Sequence, residues 1–139
     1  MAMVFYVSSK VKYASIWRDL RERGISINST WIDQIGPTDD IDLVMLSKQC
    51  IKEASEADAL LLYTEHDDLL KGALLECGAS LAAGHPVICI GSGKSISHVF
   101  TRHPLWFSAA NIDDAVALAN GIYEENHSDQ DALQVSEGA

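Results

Sequence analysis

Apolar residues in this chain gather into short continuous runs, separated by longer segments in which they recur every three or four positions. The continuous runs read as strands buried on both faces, and the periodic segments as helices packed along one stripe. Residues 3–7, MVFYV, make a first strand. Tyr13 to Arg23 then places Ile16, Trp17 and Leu20 on one side and Arg18, Arg21 and Glu22 largely on the other, an amphipathic helix stopped by Gly24. Residues 25–32, ISINSTWI, form a second strand, polar enough to sit near a sheet edge, and turn chemistry follows from Asp33 to Pro37. From Asp40 to Ala57 the positions Leu43, Val44, Leu46, Cys50, Ile51 and Ala54 recur at helical spacing, with Asp39 or Asp40 as N-cap. Residues 59–63 and 87–90 are two buried strands flanking a helix from Gly72 to Gly84. Leu105 to Phe107 is a short last strand, and Ile112 to Tyr123 a last helix with Asp113 and Asp114 in its first turn. Residues 1–123 thus make one domain, and the acidic, polar residues 124–139 predict a frayed tail.

Strands alternating with helices predict an α/β architecture: a doubly wound sheet of about five mostly parallel strands with helices on both faces. Ligands of such sheets bind beyond the carboxyl ends of the strands. That rule puts Tyr6, Ser8 and Ser9 on the rim after the first strand, and Trp31 and Asp33 after the second. Thr64 to Asp68, with Glu65 among them, follow the third, and Gly91 and Ser92 the fourth. Asp58, at the opposite end of its strand, reads as structural.

Composition narrows the partners. Ten Lys and Arg against twenty Asp and Glu give a formal net charge of -10 in 139 residues, which disfavours duplex nucleic acid or an anionic membrane as a partner. The hydrophobic fraction of 47% is that of a globular chain. Cys50, Cys77 and Cys89 fall in apolar segments without a CxxC pair, and read as buried thiols in a reducing cytoplasm. The opening apolar run is too short for a signal peptide, and no stretch is long enough to span a bilayer. The histidines at 66, 85, 98, 103 and 127 lack metal-ligand spacing, so neither a metal nor a cofactor is expected.

The segment from Gly72 to Gly84 carries the sharpest chemical signal. Glu76 is its only charged side chain, whereas a helix with one face in water normally carries several. The helix is therefore expected to be covered on nearly all sides, by the sheet and by a further layer or a second subunit, which predicts a homodimer or higher oligomer. Gly72 and Ser80 share the stripe of Glu76, so the carboxylate stands among small residues with room beside it. A carboxylate in dry surroundings costs free energy unless paired, and its pKa rises. Glu76 reads either as a hydrogen-bonded interface carboxylate or as a functional one. Trp31 offers a flat face for stacking or simply packs beneath the loop. Gly91 to Ser95 looks like the end of a phosphate loop, but Ile88 stands where that pattern needs glycine. An ordinary loop, or one whose amides hold a phosphate or hydroxyl, remains.

The run DDLLKGALLECGASLAAGHPVICIG, with FYVSS near the N-terminus and STWID after the second strand, resembles the nucleoside 2-deoxyribosyltransferase family, especially its short phage and bacterial members. The resemblance covers most of residues 3–121, and its most specific part is G-x-x-x-E-x-G-x-x-L-A at Gly72 to Ala82. It implies a flavodoxin-like fold and a small-molecule nucleoside or nucleotide substrate. It implies cleavage or exchange of an N-glycosidic bond, with Glu76 as nucleophile, Tyr6 as the residue orienting it, and Ser8 and Ser9 in the sugar or phosphate pocket. The chain departs from the family at Leu70 and Cys50, where acids are usual. The proton for the leaving base then has three rim candidates, Asp33 first and Glu65 and Asp68 after it. Lys71, Lys94 and Arg102 near the rim suit a phosphorylated ligand. The alternative is a nucleotide-binding or sensing module of the same fold, without catalysis.

Overall fold

The computed structural model describes the backbone of residues 3–34 and 40–138, and side chains throughout these except 40–42 and 128–138. In chain order the elements are β1 (Phe5–Ser8), α1 (Ala14–Glu22), α2 (Asp40–Glu56), β2 (Ala59–Tyr63), α3 (Gly72–Ala82), β3 (Val87–Ile90), β4 (Trp106–Ala109) and α4 (Ile112–Gly138). Single 3-10 turns occur at Val11–Tyr13, Thr30–Asp33 and Phe100–Arg102. The four strands lie in the order β1-β2-β3-β4 and every neighbouring pair is parallel, with Tyr6 opposite Leu60, Leu61 opposite Ile88 and Cys89 opposite Ser108. Each crossover carries a helix or a long loop, as parallel pairing requires.

The continuous apolar runs are buried for the reason they are continuous. Every residue of β1 and β3 is buried, as is β2 up to Tyr63, because helices flank the sheet. α2 and α3 pack on each other over this sheet, and α4 packs against β3 and β4. Trp17 and Leu20 of α1 complete the core. At the amino end of β2, Asp58 accepts the Val4 N–H at 2.8 Å, a structural tie. No helix among the described residues is long and apolar enough to cross a membrane.

The sheet has four strands, not five. The expected second strand, residues 25–32, contributes one parallel bridge, Ile27 to Phe5, on the outer side of β1. Phe5 N–H donates to the Ser26 carbonyl at 2.9 Å and Asn28 N–H to the Phe5 carbonyl at 3.0 Å, and there the backbone ladder stops. Side chains serve the next residue of the edge: Val7 N–H donates to Ser29 Oγ at 2.8 Å, and Trp31 Nε1–H donates to the Val7 carbonyl at 2.8 Å. With both groups of Val7 satisfied, nothing requires an extended backbone. The chain turns into Thr30–Asp33 instead. The segment still occupies the outer place of a 2-1-3-4-5 flavodoxin-like order.

α4 runs past Tyr123 to Gly138. The turn at residues 35–37, the capping role of Asp39 and the side chain of Asp40 lie outside the described residues. α3, neutral but for Glu76, has the expected further layer within the chain, because α2 lies along it. Leu75 is the large apolar residue of α3 left exposed.

Candidate active site

Tyr6 and Ser8 alternate along β1 and point to the same face, towards α3. Glu76 sits one turn into that helix and meets both. The Tyr6 hydroxyl donates to Oε2 at 2.6 Å, and the Ser8 hydroxyl donates to Oε1 at 2.7 Å. Tyr6 and Ser8 are fully buried, while Glu76 is partly exposed. Both carboxylate oxygens are thus held, each by a short O–H···O bond of the charge-assisted kind.

The opposing influences on Glu76 can be ranked. Burial raises its pKa above the ordinary carboxylate value and outweighs the hydrogen bonds from Tyr6 and Ser8, which pull it down. Burial, reinforced by the Glu76 charge, pushes the Tyr6 phenol far up, so it stays protonated and serves as a donor. Cys50 is pushed up to about 11, chiefly by burial, and stays a thiol at neutral pH.

In front of Glu76 opens a cavity of about 500 Å³. Ser9, Lys10, Val11 and Lys12 after β1 form one wall, and Leu69, Leu70 and Lys71 with the first turn of α3 form another. Leu46 and Cys50 of α2 and the indole of Trp31 close it behind. The cavity lies beyond the carboxyl end of β1, between the outer segment and β2, where the strand order reverses and doubly wound sheets bind their ligands. Glu76 is the one carboxylate among the described lining residues, facing three lysines.

The expected site residues divide by this geometry. Glu76, Trp31, Ser9 and Gly72 line the cavity, and Tyr6 and Ser8 stand directly behind the carboxylate. The Ser9 hydroxyl is already engaged, accepting from Trp17 Nε1 at 2.8 Å and donating to the Lys10 carbonyl at 2.9 Å. Asp33, the first-ranked acid, is not in the cavity. Its oxygens pair with the Arg21 guanidinium at 2.8 and 2.9 Å, and this pairing lowers its pKa, the reverse of what a proton donor needs. Glu65 is exposed outside the lining and accepts the Tyr63 hydroxyl at 2.6 Å. Asp68 is 4% exposed and also outside it; hydrogen bonds, the Glu65 N–H first, hold its pKa down.

Gly91 and Ser92 are likewise not brought to the cavity, because their loop is sealed against the loop after β2. Gly91 has φ 91°, and a Cβ there would overlap the Thr64 carbonyl oxygen, so this close approach requires glycine. Lys94 N–H donates to the His66 carbonyl at 3.1 Å, continuing the seal. Of the basic residues expected near a phosphate, Lys71 lines the cavity and Lys94 and Arg102 do not. Lys10 and Lys12 escaped the sequence reading. Their signal was available: two cations immediately after the first strand of a strongly acidic chain. Among the described residues no group of three or more His, Cys, Asp or Glu is placed to hold a metal ion.

Neither a protein-family model nor a curated protein matches the chain. Among solved structures it is similar to the CMP N-glycosidase BcmB of Clostridium botulinum, at 14% identity over 84% of this chain and 98% of that one, with a TM-score of 0.51. At that identity the likeness shows a shared fold.

Proposed function

We propose that this chain cleaves the N-glycosidic bond of a nucleoside 5'-monophosphate, with Glu76 as the nucleophile. The observation that carries the reading is the double hold on Glu76, by Tyr6 at 2.6 Å and Ser8 at 2.7 Å, at the wall of a cavity of nucleotide size. The CMP N-glycosidase activity named for the structural neighbour adds support at the level of reaction class.

Breaking an N-glycosidic bond builds positive charge on the sugar, and a fixed carboxylate beneath the ring stabilises it. Each oxygen of Glu76 accepts one hydrogen bond and keeps a lone pair. One of these pairs attacks the anomeric carbon as the C–N bond breaks, and its electrons leave with the base, which takes a proton from water. The resulting glycosyl ester is then opened by water, giving hydrolysis and returning Glu76, or by the nitrogen of a second base, giving exchange. Tyr6 and Ser8, both neutral donors, hold the carboxylate in the attacking orientation. Trp31 supplies a flat apolar wall for the base, and Lys10, Lys12 and Lys71 supply the charge that a 5'-phosphate requires.

A homodimer belongs to the same reading. Val11 at 72% exposure and Leu69 at 57% stand at the mouth of the cavity, and Met45 and Leu75 at 64% and 69% lie on the paired helices beside it. A second copy laid over this rim covers them and narrows the mouth.

The deciding experiment incubates the protein with a panel of nucleosides and monophosphates, with and without an acceptor base, and separates the products. Free base is expected from a monophosphate, and Glu76→Gln and Glu76→Ala are expected to abolish it with the circular dichroism spectrum kept. Full activity in those variants overturns the nucleophile. Saturable binding without product replaces the enzyme by a nucleotide-binding module.

A further inference from the structure

Asp68 is a buried carboxylate outside the cavity, and it joins three loops. Its Oδ2 accepts the Glu65 N–H at 2.9 Å, which closes the turn after β2. Its Oδ1 accepts the Tyr13 hydroxyl at 3.1 Å and faces Lys12 Nζ at 3.6 Å, both after β1. Its carbonyl accepts the Ser95 hydroxyl at 3.0 Å, and Ser95 Oγ in turn accepts the Leu70 N–H at 3.0 Å, which brings in the loop after β3.

Two of these loops are the facing walls of the cavity. Lys10 to Tyr13 form a closed 3-10 turn, with Tyr13 N–H donating to the Lys10 carbonyl at 3.1 Å, so Lys10, Val11 and Lys12 move with Tyr13 as a unit. The tether of that unit is the Tyr13 hydroxyl on Asp68, steadied by the edge-on contact of the Tyr13 and Tyr63 rings at 4.9 Å between centroids. Lys12 is 60% exposed, so its own ion pair with Asp68 contributes little and the two hydrogen bonds do the holding. Tyr6, Ser8 and Glu76 stand on β1 and α3 and do not depend on the tether.

We propose that Asp68 is a positioning residue: through Tyr13 it fixes the lysine-bearing wall against the loop after β2, and so presets the cavity for an anionic group on the substrate. The inference rests on the monophosphate reading above. A preset wall spares the substrate the cost of ordering it, so releasing the tether weakens binding of the anionic part and leaves the chemistry at saturation alone.

Two variants separate position from charge. Tyr13→Phe removes the tether without changing any charge and keeps the ring packing. Asp68→Asn keeps an acceptor for the Glu65 N–H. KM and kcat are measured for the monophosphate and for the matching nucleoside, and Kd for both is measured by calorimetry in a Glu76→Gln background, where no cleavage intervenes. Both variants are expected to raise KM and Kd for the monophosphate about tenfold, the effect of one hydrogen bond to a carboxylate, with kcat and the nucleoside constants unchanged. Equal changes for both ligands, or no change, overturn the proposal. So does tighter monophosphate binding in Asp68→Asn with Tyr13→Phe silent, which would make Asp68 merely a nearby charge. If the wild type binds the monophosphate without cleaving it, the catalytic reading falls and the Kd comparison still decides the role of Asp68. If the monophosphate binds no better than the nucleoside, the role of Asp68 falls whatever the cleavage assay returns.

Discussion

The Tyr6 hydroxyl meets Glu76 Oε2 at 2.6 Å across seventy positions of sequence, joining the first strand of the sheet to the one charged residue of α3. Because burial keeps the phenol protonated, this bond runs from tyrosine to carboxylate whenever Glu76 is ionised. Tyr6→Phe therefore removes a donor to an ion. The expected result is a fall in kcat/KM of about ten- to a hundredfold, with the acid limb of the pH profile moved to higher pH. Ser8→Ala acts in the same direction through Oε1. Steady-state kinetics across pH checks both.

The raised pKa of Glu76 ties stability to pH in a definite sense. The folded carboxyl holds its proton more tightly than the unfolded one. Its contribution to stability is therefore fully present below the unfolded value and is lost as pH rises through the folded value. Activity runs the other way, since attack needs the carboxylate. Glu76→Gln is expected to melt no lower than wild type at pH 7 while showing no base release. Thermal melts at pH 5 and pH 7 check this, with the advantage of the variant growing at the higher pH.

Gly91 is where the loops after β2 and β3 close on each other. Gly91→Ala puts a methyl group into the Thr64 carbonyl at a positive φ, and is expected to cost about 2–3 kcal/mol. Urea midpoints measure it. A neutral result would mean that the two loops separate freely.

Cys50 stands in the cavity with its thiol pushed up to about 11. Iodoacetamide is expected to modify it slowly at pH 7.5, with a rate still climbing above pH 9, because the thiolate is the reacting form. A nucleotide bound in the cavity should slow the reaction further. Mass spectrometry of the Cys50 peptide follows both effects.

The exposed Leu75 and Met45 predict self-association. Sedimentation equilibrium is expected to give twice the chain mass, and Leu75→Glu or Met45→Lys to return the single mass with a higher KM. A single-chain mass at every concentration would remove the second copy from the account of the site.

By itself the sequence determined the parallel α/β architecture and singled out Glu76. Periodicity records how much of each residue is buried, and burial leaves its trace position by position. One charge in an otherwise neutral helix is such a trace, and so is the rim rule that found Tyr6 and Ser8. Tertiary structure alone decided which rim residues converge. Asp33 went to Arg21, Asp68 to Tyr13 and the Glu65 N–H, and Gly91 to the approach of Thr64, although all three held rim positions as sound as that of Glu76. The fifth strand was lost in the same way, because the side chains of Ser29 and Trp31 took the hydrogen bonds of Val7 that a backbone ladder would have made. The physical reason is common to all of these cases. A polar group commits to whichever partner the folded chain brings within about 3 Å, and that meeting depends on residues far away in sequence.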